Sequence, residues 1–189
     1  NTPRTSVTTS RGSSTSSVLV FGGLTPAPAI VAITESWNGS AWTEVGDLNT
    51  ARQVAGGAGS GNTSALCFGG YSAAPDEVAI TESWSGSSWT EVGDLNQARG
   101  QIGGAGTQTA AIGFGGYNDG LSPAYPTNTE LWNGTSWTED TNLSTAGAQR
   151  AAIGTSTNAL AVGGSPPVGG AIANTEEWTG AGSPLVQTF

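Results

Sequence analysis

The strongest constraint on this chain is that it repeats. The stretch from Ser64 to Arg99, SALCFGGYSAAPDEVAITESWSGSSWTEVGDLNQAR, returns in imperfect copies at a period of about 47 residues, the mark of a repeat architecture. Each copy holds an apolar run closing on a double glycine, a variable loop, a run ending in tryptophan, a tight turn and a further short run. The double glycines are Gly22-Gly23, Gly69-Gly70, Gly115-Gly116 and Gly163-Gly164. The first tryptophan of each unit is Trp37, Trp84, Trp132 and Trp178, and a second follows in three units as Trp42, Trp89 and Trp137. In the fourth unit that place falls in GAGSPLVQTF, which has no tryptophan. Four units account for essentially all 189 residues, as one domain divided near 1–48, 49–95, 96–143 and 144–189.

Local patterns turn each unit into four strands. Strand A is read from VAGGAG and QIGGAG, with residues 1–16 aligning on the same place in unit one. Strand B is SVLVFGG, SALCFGG, AAIGFGG and NALAVGG, short continuous apolar runs that suit a strand covered on both faces. Next come loops of unequal length broken by Pro, Gly and Asp, and then strand C as ITESW, ITESW, NTELW and NTEEW. The turns NGSA, SGSS and NGTS lead into strand D, and Asn-Gly between alternating runs is a strong hairpin signal.

One such sheet cannot bury two apolar faces alone, so several must pack about an axis in a closed ring. The tryptophans are the expected filling between sheets, and strand A, with its small residues, is expected nearest the axis. With 30 glycines and only 10% charged residues, the composition is all-β.

The arginine before strand A, the double glycine after strand B, the Glu-x-Trp of strand C and the Trp opening strand D resemble the kelch-type, galactose-oxidase-like β-propeller family. The resemblance spans the whole chain and implies an all-β, four-bladed propeller of four-stranded antiparallel blades. Four blades are fewer than the five to seven usual in that family, and Trp stands in strand C where Tyr is common. The wording N-T-A-R, G-T-Q-T-A, T-E-E-W and G-T-S-W-T-E also resembles kelch-like structural and appendage proteins of aquatic tailed bacteriophages. That likeness implies a virion surface component in host attachment.

Charge and residue inventory exclude several functions. The net charge is −9, with five arginines and no lysine, which disfavours nucleic acid and anionic membrane surfaces. No apolar run approaches the roughly 20 residues of a membrane span, so no membrane insertion is expected. The absence of Met and an opening Asn1 are read as marks of a processed or excised segment. With no histidine, the Ser-His and Cys-His nucleophile pairs and a galactose-oxidase copper site cannot be assembled. SGSSWTE and NGTSWTE resemble the repeated turn of sialidase propellers but lack its Asp. Most acidic residues recur at repeat positions, whereas a catalytic pair should occur once. No enzyme activity, no cofactor and no metal are therefore expected, and Cys67, alone in the chain, reads as a small core residue.

The candidate site follows from strand parity. In an A-B-C-D meander the B–C loops and the D–A links emerge on one face, and the A–B and C–D turns on the other. The long, dissimilar B–C loops carry Tyr71, Asp76, Glu77, Tyr117, Asp119 and Tyr125, amphipathic and acidic groups suited to carbohydrate or protein surfaces. The D–A links bring Arg4, Arg52 and Arg99 to the same face, where they either clamp an anion or pair with local acids such as Asp47 and Asp94. Gly147 takes that place in unit four, with Arg150 displaced by three residues. The recurrent Glu35, Glu82, Glu130 and Glu176 are read as structural acceptors.

The function expected is non-enzymatic recognition on an extracellular or virion surface, with cell-surface glycan or protein as partner. The alternative is an architectural virion subunit docking on other virion subunits; a homo-oligomer is compatible with either. A glycan-processing propeller enzyme is the third reading.

Overall fold

The computed structural model describes residues 2–10, 15–73, 77–180 and 185–188. Sixteen strands appear in four consecutive sets. Blade one holds β1 (Thr8–Thr9), β2 (Val18–Phe21), β3 (Thr34–Trp37) and β4 (Trp42–Glu44). Blade two holds β5 (Gly56–Gly61), β6 (Ser64–Phe68), β7 (Thr81–Trp84) and β8 (Trp89–Glu91). Blade three holds β9 (Gly103–Gly106), β10 (Ala111–Phe114), β11 (Thr129–Trp132) and β12 (Trp137–Asp140). Blade four holds β13 (Ala151–Gly154), β14 (Ala159–Val162), β15 (Asn174–Trp178) and β16 (Leu185–Thr188). Every set is a separate antiparallel sheet whose strands pair in sequence order. The chain is an all-β propeller of four blades.

Register explains the repeated wording of strands B and C. The strand C glutamate always lies opposite a small or slender residue of strand B: Val20, Cys67, Gly113 or Ala161. Across the C–D hairpin the two tryptophans of blades one to three face each other, with ring centroids 5.3 to 5.5 Å apart. Cross-strand aromatic pairs of this kind stiffen the sheet while presenting one broad apolar face.

That face packs on the preceding blade. Leu19 and Phe21 of blade one meet Trp84 and Trp89; Leu66 and Phe68 of blade two meet Trp132 and Trp137. Phe21 stacks edge-on to Trp89 at 4.8 Å, and Phe68 lies 4.7 Å from Trp137. Each indole also finds an acceptor, Trp89 Nε1 on Thr34 Oγ1 at 3.0 Å and Trp137 Nε1 on Thr81 Oγ1 at 2.9 Å. Between blades three and four the second tryptophan is missing. The hydroxyl of Thr129, equivalent to Thr34 and Thr81, is buried there without a partner, beside a small cavity lined by Phe114 and Trp178.

Near the axis the first strands pack successively, β1 on β5, β5 on β9 and β9 on β13. A Cβ on Gly57 would lie 2.5 Å from Thr9 O, so only glycine permits this approach. The links before these strands join in a ladder: Val54 N–H donates to Ser6 O, Gln101 N–H to Val54 O and Gln149 N–H to Gln101 O, at 2.9 to 3.0 Å. The double glycine is a second clasp. Gly69 and Gly70 have φ of +64° and +103°, which lets Gly70 N–H donate to Arg99 O of the next blade at 3.0 Å. A Cβ on Gly69 would sit 2.5 Å from that same oxygen.

The structure departs from the expected closed ring. On the sides of blades one and four that face no neighbouring blade among the described residues, the repeat positions buried elsewhere are open. Trp42 is 36% exposed where Trp89 and Trp137 are 5%, and Leu160 is 38% exposed where Leu66 and Ile112 are buried. The four blades thus stand around the axis with two uncovered outer faces.

Candidate functional site

The D–A links lie beside the start of the B–C loops in all four blades, through the bridges Thr5–Leu24, Gln53–Tyr71, Gly100–Tyr117 and Ala148–Ser165. On the other side of the propeller, Gly39, Gly86, Gly134 and Gly180 of the C–D turns sit against Ser16, Thr63, Thr109 and Thr157 at the A–B turns. Strand parity therefore sorts the connections onto two faces, as the meander requires.

On the loop face, residues of blades two and three converge. Tyr117 and Tyr125 pack edge-on with ring centroids 5.0 Å apart, and both are half-buried. Tyr71 of the neighbouring loop is also half-buried, and its hydroxyl accepts from Gln101 Nε2 at 3.2 Å. Glu77 reaches across to blade three, where its Oε1 accepts from Asp119 N–H at 3.4 Å. Burial first, then the nearby Glu77 carboxylate, push the Tyr71 phenol up to about 12 against the opposing hydrogen bond from Gln101. Burial and Asp119 raise Tyr117 as well. These phenols are neutral at physiological pH and keep both a donor and an acceptor beside a carboxylate. The cluster thus offers aromatic faces next to acidic acceptors, the two kinds of group that hold a sugar ring. Asp76 lies outside the described residues.

Gln101 and Asn118 belong to this face although nothing in their sequence context singles them out. Asn118 Nδ2 donates to Ala98 O at 2.7 Å, and its Oδ1 accepts from Gly120 N–H at 2.8 Å, so it shapes the loop carrying Asp119. Gln101 sits in a link at φ +55°, a conformation the residue name does not advertise.

The arginines are elsewhere, and their reading is corrected. Arg52 and Arg99 are fully buried and cannot clamp an external anion. Their Nη2 atoms pair with the strand C glutamates, Arg52 with Glu82 at 2.8 Å and Arg99 with Glu130 at 2.6 Å. Arg4 pairs with Glu35 at 2.5 Å, and its side chain is likewise covered. Arg99 Nη1 also donates to Gly115 O and Asn128 O, at 2.9 and 2.7 Å. Asp47 and Asp94 are not the partners: they accept from Thr34 N–H and Thr81 N–H, both at 3.1 Å. In blade four two residues divide the task. Gly147 supplies the carbonyl that accepts from Gly116 N–H at 3.0 Å, and Arg150, from three residues on, reaches Glu176 at 3.2 Å.

The glutamates tie blades together from the other side. Glu130 Oε2 accepts from Asn96 N–H at 2.7 Å and Asn96 Nδ2 at 2.8 Å; Glu82 does the same with Asn49 at 2.7 and 2.8 Å. Each buried carboxylate is thus paired and hydrogen-bonded, the condition under which a charge is tolerated inside. Burial pulls the Arg99 and Arg150 guanidiniums below their ordinary value, and Glu130 and Glu176 oppose the shift.

Cys67 is buried behind the Arg52–Glu82 pair, and burial pushes its thiol up to about 11. At pH 8 only about 0.1% would be thiolate, since the thiolate alone is the nucleophile. Iodoacetamide is therefore expected to leave Cys67 unmodified in the native protein and to alkylate it fully in denaturant, read by intact mass. Native-state labelling would show that blades one and two separate readily.

These features define a propeller with a composite loop face and a set of buried ion pairs. No family model matches the sequence, and no curated protein does. Among solved structures the chain is similar to YjhT, with a TM-score of 0.78 at 13% identity, over 100% of this chain and 70% of that one. Similarity at that identity establishes the propeller fold alone.

Proposed function

We propose that this propeller is a non-enzymatic recognition module of an extracellular or virion surface, binding cell-surface glycan through the loop face of blades two and three. The observation that carries this reading is the convergence of Tyr71, Tyr117 and Tyr125 with Glu77 and Asp119 on one side of the molecule. Rigid aromatic surface beside acidic acceptors suits the apolar face and hydroxyl rim of a sugar. The likeness of the repeats to kelch-type propellers and to phage appendage proteins supports the same setting.

Tyr125→Ala removes one half of the Tyr117–Tyr125 pair without entering the inter-blade core. Screened on a glycan array, the native protein is expected to retain a defined set of glycans and Tyr125→Ala to lose them, with an unchanged far-UV spectrum. An array with no hits, or hits unaffected by Tyr125→Ala, overturns the reading. Turnover of any member of a glycoside and sialoside panel would replace it with an enzyme.

A further inference from the structure

Three repeated contacts define how one blade seats on the next, and all three stop unfinished at both ends of the array. The first is apolar: the tryptophan face of each following blade covers the Leu-x-Phe or Ile-x-Phe side of the one before. On blade four that side is bare. Leu160 and Ile153 are 38% and 66% exposed, around an open hollow of about 240 Å³ that also includes Asn158 and Glu177. On blade one the tryptophan face is bare, with Trp42 as its most exposed member.

The second contact is the double-glycine clasp. Gly163 and Gly164 hold φ of +61° and +112°, the same conformation as the other pairs. A Cβ on Gly69 or Gly115 would meet the next blade's carbonyl at 2.5 Å, but one on Gly163 would meet only Ile172 O of its own blade, at 3.5 Å. Among the described residues, no next-blade carbonyl occupies this clasp. The third contact is the link ladder, whose terminal groups, Ser6 N–H and Gln149 C=O, have no backbone partner among the described residues.

We propose that these two faces are docking surfaces for about two further blades of this same repeat, in line with this chain, which complete the ring. One incoming blade would lay its tryptophans on Leu160 and Ile153 and place a carbonyl in the Gly163-Gly164 clasp. The other would cover Trp37 and Trp42 with its strand B. The size of the gap follows from the fold comparison: this chain occupies 70% of YjhT, leaving 30%, room for about two units of the length seen here. A second copy, with four blades of its own, does not fit that space.

The test is a chain of residues 1–189 extended at its end by a second copy of residues 49–143, blades two and three. Hydroxyl-radical footprinting read by mass spectrometry reports Trp42 and Leu160 separately. The extended chain is expected to be monomeric and to oxidise Trp42 about seven-fold more slowly than the 1–189 chain, the ratio of its 36% exposure to the 5% of Trp89 and Trp137. Leu160→Asp in the extended chain is expected to abolish that protection while leaving Trp84 and Trp132 shielded, which shows the blades themselves intact. Unchanged oxidation of Trp42 in the extended chain overturns the proposal. So does a dimer of the 1–189 chain in sedimentation velocity with both faces protected, because the occupant would then be a second copy.

Discussion

Glu130→Ala is expected to lower the stability of this protein by about 3 to 5 kcal/mol, the cost of breaking a buried ion pair from one side. The glutamate is 1% exposed and holds three groups at once: Arg99, 2.6 Å away, and the backbone and side-chain amides of Asn96. Its removal leaves a guanidinium buried in the centre of blade three and frees the link from blade two. For a domain of this size, that loss corresponds to a fall of roughly 10 °C in the thermal midpoint, measured by circular dichroism. Replacing both partners with apolar residues, Arg99→Met with Glu130→Leu, is expected to recover much of the loss, because no charge is then stranded. Glu35→Ala on the outer blade should cost less, since the Glu35 side chain is 9% accessible and water can reach Arg4 once the carboxylate is gone. A midpoint for Glu130→Ala within a degree or two of the parent would refute the structural role assigned to these pairs.

Trp137→Ala and Trp42→Ala change the same repeat position and are expected to differ by several kcal/mol. Trp137 is 5% exposed, packs on Phe68 and Trp132 and donates to Thr81. Truncating a buried aromatic of this kind costs about 3 to 5 kcal/mol, part lost transfer energy and part cavity. Trp42 stacks on Trp37 at 5.5 Å but has no preceding blade against it. Its removal is expected to cost about 1 kcal/mol or less, as for other surface positions. Urea denaturation of both variants checks the contrast. Equal losses would mean that blade one is covered after all and that the ring closes on itself.

Much of the architecture was legible because the period and the strand pattern are local. The double glycines, the Glu-x-Trp runs and the hairpin turns each report a backbone state within a few residues, and four copies average out the ambiguity of any one. The face shared by the B–C loops and D–A links also followed, since it depends only on strand parity. The partners of charged groups did not follow. Arg99 is 31 residues from Glu130 and five from Asp94, so proximity in sequence favoured the wrong acid. Similarly, the double glycine reads as a strand terminator, yet its positive φ values serve a carbonyl of the next blade about 30 residues on.

The binding cluster shows the same division. Tyr71, Glu77, Tyr117, Asp119 and Tyr125 were visible as unusual residues in long loops, but Gln101, which orients Tyr71, comes from a link in the next blade. Which loops meet is a matter of blade neighbourhood, and neighbourhood is created by packing.

By itself, the amino-acid order determined the number of blades, the four-strand meander in each and the side from which each loop leaves, because these rest on short-range patterning and side-chain alternation. Only the tertiary structure decided that Arg4, Arg52, Arg99 and Arg150 are consumed inside and that the first and last blades are left uncovered. Both depend on how one sheet seats against the next, through contacts between residues tens of positions apart. Those contacts form only where a neighbouring blade is present to be touched.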